Sequence, residues 1–266
     1  ALTLHQIGVP CVVFESVREM RPLGVGINLQ PNAVRELLDL GFTLDELDRV
    51  GLPAKEWALV GLNGNDIYAE PRGRLAGYQW PQYAVHRGKF PLLLHDKLVE
   101  RAGPQSVRLG HRVASYRKNP DGSVSAQIEQ ADRTTVEATG PLLIGADGIH
   151  STVRAHYFPQ EGPPAWNGIM LWRGAHPWTP FLTGRSMIIA GGMRAKLVLY
   201  PIYNDPSLNG LTLMNWAVAA KVGDGSAPPP RREDWSRPGR LEELLPFVEG
   251  TFKVREVDHV ALIRQT

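Results

Sequence analysis

Leu142-Leu143-Ile144-Gly145-Ala146-Asp147-Gly148-Ile149-His150-Ser151-Thr152-Val153-Arg154 is the stretch on which the fold turns. The run from Pro141 to Gly145 is apolar without polar alternation. It predicts a strand buried on both faces, the habit of parallel sheets. The glycine-bounded turn at Gly145 to Gly148 then brings backbone close to whatever lies at the strand's carboxyl edge, where open α/β sheets bind ligands. Asp147 reads two ways. It can accept a hydrogen bond from a ribose hydroxyl or from a water held against a phosphate, or it can cap the short helix that carries Ser151 and Arg154.

Upstream, Ala1 to Gly8 has the pattern of the last two turns of a helix closed by a glycine, and Val9 to Glu15 is a short apolar strand ending in an acid. Helix, tight turn, strand and terminal acid make the second half of a mononucleotide-binding βαβ unit, in which the acid takes hydrogen bonds from an adenosine ribose. A surface glutamate is the alternative reading of Glu15. The first half of such a unit, a strand and a G-x-G-x-x-G turn, is not in the sequence, so the chain reads as beginning within a domain. Arg18 and Arg21 follow, and then Pro22 to Leu29, where Gly24, Val25 and Gly26 let a backbone pass against a flat ligand or form a β-bulge.

Pro31 to Leu40 predicts an amphipathic helix with Gly41 after it, and Thr43-x-x-Glu46 a capping box. Glu56 to Asn63 and Asp66 to Glu70 read as a hairpin. Tyr83 to Gly88 leads into a helix from about Lys89 to Arg101, with Phe90, Leu93, Leu94, Leu98 and Ala102 as its buried face. Arg87, just before that helix, has a guanidinium that can fork onto a phosphate, or it is a surface arginine.

Val107 to Arg117, Ser123 to Glu129 and Thr134 to Ala138 form a meander about the Asn119-Pro120-Asp121-Gly122 turn. Beyond Phe158 the texture changes. Gly168 to Ala175, Arg185 to Ala190, Ala195 to Ile202 and Leu211 to Ala220 predict a mostly antiparallel layer rich in Trp172, Trp178, Tyr200, Tyr203 and Trp216. Such aromatics form a core or wall a flat apolar pocket. Arg173 can pair with a substrate carboxylate or face solvent. Gly223 to Arg237, with Pro228-Pro229-Pro230, is a loop, and Gly239 to Val248 a helix. The predicted domains are residues 1–160 and 161–266.

The 266 residues are 43% hydrophobic and 21% charged, and 29 basic against 27 acidic side chains leave a formal charge of +2. That balance gives no case for nucleic acid or a charged membrane surface. Neither a signal peptide nor an apolar run of about 18 residues is present, so a cytoplasmic protein without a membrane span is expected. The single Cys11 lies in an apolar run and reads as a reduced core residue. The scattered histidines make no H-E-x-x-H pattern, and neither a G-x-S-x-G elbow nor a phosphate-binding G-x-x-x-x-G-K loop occurs. With no metal set and no catalytic side chain evident, the chemistry is expected to belong to a cofactor.

Arg21-Pro-Leu-Gly-Val-Gly-Ile-Asn-Leu-Gln-Pro-Asn32, Tyr83-Ala-Val-His-Arg-Gly88 and Gly145-Ala-Asp-Gly-Ile-His-Ser-Thr-Val-Arg154 resemble, in order and spacing, three motifs of the flavin-dependent aromatic hydroxylases. This family of FAD monooxygenases includes 4-hydroxybenzoate and salicylate hydroxylases. Its phenazine-modifying members share Ile169 to Gly174 and the run that begins at Trp235. The resemblance implies an α/β fold, with an incomplete Rossmann-like FAD-binding domain and a mostly antiparallel β-sheet substrate domain. It also implies that NADH or NADPH reduces FAD, and that a flavin C4a-hydroperoxide passes one oxygen atom of dioxygen to an aromatic ring while the other leaves as water. Glu15 would then bind the adenosine ribose, Arg87 the cofactor near its pyrophosphate, and Asp147 with Gly148 the pyrophosphate or ribityl region. Arg21 and Arg154 complete the expected cofactor set. Gly24 to Asn28 would lie against the isoalloxazine, and Trp172, Arg173 and Tyr200 would face the substrate.

Measured against the family, the sequence looks truncated at both ends, lacking the first glycine-rich turn and a later Gly-Asp-Ala-x-His motif. On that ground the chain alone is expected not to retain FAD. A related FAD-fold epoxidase or isoprenoid reductase, and an inactive binding or structural module, are the competing expectations. A monomer or homodimer is expected.

Overall fold

The computed structural model describes residues 1–22, 24–229 and 237–266; Leu23, Pro230 and Trp235, which belong to stretches singled out in the sequence, lie outside them. The helices are α1 (Leu2–Gln6), α2 (Pro31–Asp39), α3 (Leu44–Asp48), α4 (Lys89–Ala102), α5 (Thr152–Tyr157), α6 (Leu241–Leu244) and α7 (His259–Arg264). The first strands are β1 (Val13–Glu15), β2 (Gly26–Leu29), β3 (Gly51–Pro53), β4 (Glu56–Val60), β5 (Asp66–Pro71) and β6 (Tyr83–His86). After α4 come β7 (Val107–Leu109), β8 (His111–Lys118), β9 (Val124–Gln130) and β10 (Thr135–Gly140). The last four are β11 (Ile169–Trp178), β12 (Ser186–Gly191), β13 (Ala195–Asn204) and β14 (Thr212–Lys221). Two compact units result, one of residues 1–21 and 94–165, the other of residues 22–93 and 166–266.

In the first unit α1 ends as expected, with Gly8 at φ 75° and its N–H donating to His5 O. Only the end of the expected Val9 to Glu15 strand forms. As β1 it pairs in parallel with β7, Val13 opposite Val107 and Glu15 opposite Leu109, while Val9 and Val12 remain exposed. Cys11 is half-buried, not a core residue. The meander forms about a Gly122 at φ 85°, in the order β10-β9-β8.

The strand expected from Pro141 to Gly145 does not form, and Leu142 and Ile144 are 72% and 60% exposed. A strand buried on both faces needs ladder partners to satisfy its amides and carbonyls. Among the described residues of this unit, the parallel pairing is confined to β1 and β7. Leu143 turns inward instead and packs, with Val153 of α5, on Tyr116, Ala126 and Ile128 of the meander. A Cβ at Gly145 would stand 2.8 Å from Val153 Cβ, so glycine there lets the chain touch α5.

The second unit is built on a six-stranded sheet in the order β11-β14-β13-β12-β4-β5. Its strands β11 to β14 overlap the four strands expected between Gly168 and Ala220. The parallel pairing of β12 with β4, Ser186 opposite Glu56 and Ala190 opposite Val60, joins the expected β4–β5 hairpin to the same sheet. A smaller antiparallel sheet runs β2-β6-β3. One face of the large sheet packs Trp172, Leu197, Leu199, Trp216 and Val218 with Leu244, Val248, Leu262 and Ile263. On the other face Met187, Tyr200 and Ile202 pack with Ala54 and Ala84 from the small-sheet region.

Helix details differ from expectation in three places. Of the face predicted for α4, only Leu98 is fully buried, and Ala102 is exposed. The helix expected from Gly239 to Val248 shrinks to α6 and a 3-10 turn at Leu245–Phe247, where Pro246 removes a helical N–H. The final segment, for which the sequence offers no strand partner, is α7, capped by Asp258, which accepts from Ala261 N at 2.9 Å. The Thr43–Glu46 capping box forms in full. No described helix is long and apolar enough to cross a membrane.

Candidate functional site

Within the first unit, Asp147 acts as a cap. Its carboxylate accepts from Ser151 Oγ and Thr152 N, each at 2.6 Å, and from Val153 N at 3.3 Å. Partial burial pushes its pKa up, but these hydrogen bonds outweigh it and hold the carboxyl below its ordinary range. The anion-favouring amides at the start of α5 are thus taken by the chain's own carboxylate. Gly148, at φ 75°, has open space where a side chain would stand. Arg154 folds back on the same turn, Nε donating to Glu161 at 2.7 Å and the guanidinium reaching the carbonyls of Gly148 and Ile149.

Glu15 ends β1 as predicted, and its Oε1 accepts from Val17 N at 2.9 Å and from Ser16 Oγ at 3.1 Å. Arg21 is exposed and paired with Glu19 at 2.7 Å.

Within the second unit, Gly24 sits at φ 117°, a conformation only glycine adopts readily, and its Cα passes beside the aliphatic part of Arg87. Arg87 N donates to Val25 O at 2.8 Å, which holds the glycine stretch against the end of β6. Gly26 also needs to be glycine, though for a reason the sequence does not disclose. A Cβ there would lie 2.6 Å from both Ile202 Cγ2 and Tyr200 Cε2, so the close approach is to the large sheet. Gly26 N donates to Asn215 Oδ1 at 2.8 Å.

Strand register separates the residues expected to form one pocket wall. Tyr200 is opposite Asn215, which is opposite Ala175, so Arg173, two residues before Ala175, shares the Tyr200 face. Trp172 faces the other way, 8% exposed, into the core with Phe247 at 6.0 Å. Burial, and then the nearby Arg87, lower the pKa of Arg173. Burial raises the Tyr200 phenol to about 12.

Sequence reasoning misses Asn215, which anchors β2, and it gives Asn28 only as the end of a stretch against the isoalloxazine, whereas its Oδ1 is buried without a hydrogen-bond partner. The signal for Asn28 was available, since an amide there interrupts the apolar pair Ile27 and Leu29.

His86, at the end of β6, accepts from Gly88 N at 3.1 Å and Lys89 N at 3.3 Å through Nδ1, which requires the neutral ring. Burial, then Lys89, lower its pKa, and burial lowers that of His259, whose ring stacks on Phe252 at 4.9 Å. Both histidines bind protons more readily unfolded than folded. Stability therefore holds above about pH 6.5 and declines as the pH falls below it, by at most about 1.4 kcal/mol per pH unit for each histidine. Urea midpoints between pH 8 and pH 5 measure this decline, and a rise in stability over that interval contradicts the assignment.

The glycine stretch that passes Arg87, with Gly24 in a conformation only glycine adopts readily, fits a flat ring with an anionic tail, which is the chemistry of FAD. A family profile described as an FAD binding domain matches residues 1–168. The chain is 38% identical over 250 residues to a phenazine 1,6-dicarboxylic acid hydroxylase of Lysobacter antibioticus, covering 93% of this chain and 61% of that protein. It is 33% identical over 184 residues to a 3-amino-4-hydroxybenzoate 2-monooxygenase of Streptomyces cremeus, with 66% and 43% covered. Among solved structures, an FAD complex of a Klebsiella pneumoniae HpxO variant aligns with a TM-score of 0.62 at 21% identity, over 88% of this chain and 55% of that one. The 2,6-dihydroxypyridine-3-hydroxylase of Arthrobacter nicotinovorans aligns with a TM-score of 0.60 at 22% identity, over 85% and 53%. These alignments show the α/β hydroxylase fold, and the chain spans between 43% and 61% of the length of the two curated relatives. Three motifs in family order, that fold and the profile match over 1–168 agree: the chain belongs to the FAD binding domain family.

Proposed function

We propose that the protein carrying this chain is an FAD-dependent monooxygenase that hydroxylates a carboxylated aromatic ring at the expense of NADH or NADPH. The observation that carries the reading is the polar layer of the second unit, where Arg173, Tyr200, Asn215, Gly26 and Asn28 are assembled by strand register. Relatives named for a phenazine dicarboxylate and an aminohydroxybenzoate support a ring that bears a carboxylate. When bound, FAD supplies the redox chemistry, taking electrons from NAD(P)H and delivering one atom of dioxygen.

The chain's own residues position and exclude. Arg173, half-buried, takes the substrate carboxylate as a charge-assisted pair. Tyr200 stays protonated at working pH, so it serves as a packing wall and hydrogen-bond donor and not as a base. A tightly packed wall keeps water from the reacting ring, which this chemistry needs more than it needs a side-chain acid. Toward the cofactor, Glu15, Arg21, Gly24, Val25, Gly26, Arg87, Asp147, Gly148 and Arg154 keep the roles that the family resemblance implies. Trp172 supports the layer from behind, by holding β11 on the opposite core. Residues 1–160 serve the cofactor and 161–266 the substrate. A cytoplasmic monomer or homodimer that binds no nucleic acid completes the reading.

The test is oxidation of NADH and NADPH in the presence of FAD, with phenazine-1-carboxylate, salicylate and 4-hydroxybenzoate as candidate substrates. The reading expects oxidation to accelerate with at least one aromatic acid and to yield a hydroxylated product. Equal rates with and without every acid would contradict it.

A further inference from the structure

We propose that His86 is the positioning residue of the cofactor arginine: its imidazole fixes the backbone on either side of Arg87 and so aims the guanidinium at the anionic part of FAD. The inference rests on the cofactor role given to Arg87 above and deepens it.

Arg87 is exposed, while His86 before it and Gly88 after it are buried. A ligand can reach the side chain, and the backbone that carries it is anchored on both flanks. His86 N donates to Val50 O and Arg87 N to Val25 O, each at 2.8 Å, which ties the segment to the start of β3 and to the glycine stretch before β2. Gly88 N and Lys89 N donate to His86 Nδ1 at 3.1 and 3.3 Å. These last two bonds close a loop around Arg87, running from the side chain before it to the amides after it. They alone in this set depend on a side chain, so a substitution can remove them and leave the backbone bonds in place. The first carbons of the Arg87 side chain run beside Gly24, where an added Cβ would stand 3.7 Å from Arg87 Cβ and 3.8 Å from Cδ. A turn of the backbone at Arg87 would carry the whole side chain off that track.

The start of α4 needs an acceptor at this place, and asparagine, aspartate or serine is the usual one. An aspartate would set a full negative charge next to Arg87 and compete with an anionic ligand for the guanidinium. A neutral imidazole supplies the acceptor without the charge. Burial, then Lys89, favour the neutral ring, the form in which Nδ1 can accept.

The test is the affinity of the protein carrying this chain for FAD, read from the quenching of flavin fluorescence as apoprotein is added. Arg87→Ala should raise the dissociation constant about tenfold or more, the loss of a charge-assisted contact. His86→Leu should also raise it about tenfold, and in the Arg87→Ala background the same change should add less than about twofold, because no guanidinium is left to aim. His86→Asn, whose amide oxygen can stand in for Nδ1, should stay within about twofold of wild type. His86→Gln, whose amide matches Nε2 instead, should be as weak as His86→Leu, and the asparagine–glutamine pair decides the case if the leucine variant does not fold. Additive losses in the double variant, or equal affinities of His86→Asn and His86→Gln, would overturn the inference, since a cap that serves only the helix acts independently of Arg87. Unchanged affinity in Arg87→Ala would overturn the cofactor role of Arg87 itself.

Discussion

Trp216→Ala should cost about 3–5 kcal/mol of folding stability, the range for removing a large aromatic from a packed core. The indole is 4% exposed and belongs to the cluster that joins the large sheet to α6 and α7. Its ring packs close to Gly174, where an added Cβ would come within 2.7 Å of Cζ2. Its Nε1 donates to Thr266 Oγ1 at 2.9 Å, and that hydroxyl also donates to Leu262 O at 3.0 Å, so α7 is tied to the sheet through the same residue. A loss of this size is a large share of the roughly 5–15 kcal/mol that holds an ordinary domain together. Chemical denaturation of both proteins measures it. A change below about 1 kcal/mol would mean that the core collapses onto the cavity, against the close packing described.

Arg173→Ala should weaken binding of a carboxylated ring substrate about hundredfold, through KM with kcat nearly unchanged, because a carboxylate anchor acts alike in ground and transition states. Register fixes Arg173 on the Tyr200 face of β11, where its guanidinium is half-buried. Arg173→Lys should recover only part of the loss, since a point charge replaces a planar fork. Steady-state kinetics with an aromatic acid and its neutral amide would separate the cases. An equal effect of Arg173→Ala on both would mean that the arginine supports the layer and does not read the carboxylate.

Much of the fold could be read from local pattern. The Asn119 to Gly122 turn, the alternation of β11 to β14 and the Thr43–Glu46 box specify themselves within a few residues, and each formed as read. Non-local pairings were not readable in this way. Nothing in Glu56 to Val60 announces a parallel partner at Ser186 to Ala190, and nothing in Val13 to Glu15 names Val107 to Leu109. Apolar composition overstated the strand at Pro141 to Gly145, because a ladder depends on partners as well as on hydrophobicity.

The candidate site shows the same limit. Motif order identified the family, yet motifs do not fix where side chains point. Trp172 and Tyr200 belong to neighbouring parts of one sheet and face opposite cores, a distinction set by register across three strands. Gly26 was read as letting backbone pass a flat ligand or form a β-bulge, and what lies against it in the fold is Tyr200 and Ile202. Asp147, the centre of the fingerprint, keeps its own helix capped. Asn28 shows only in the folded chain that its oxygen is buried without a partner.

The proposed reaction inserts an oxygen atom from dioxygen into an aromatic acid. Turnover with FAD, NADPH and the aromatic acid under isotopically labelled dioxygen tests it most directly, with the product examined by mass spectrometry. One labelled oxygen is expected in each hydroxylated ring, and none when labelled water replaces labelled dioxygen. Label arriving from water, or NADPH consumed with hydrogen peroxide as the sole product for every aromatic acid offered, would contradict it.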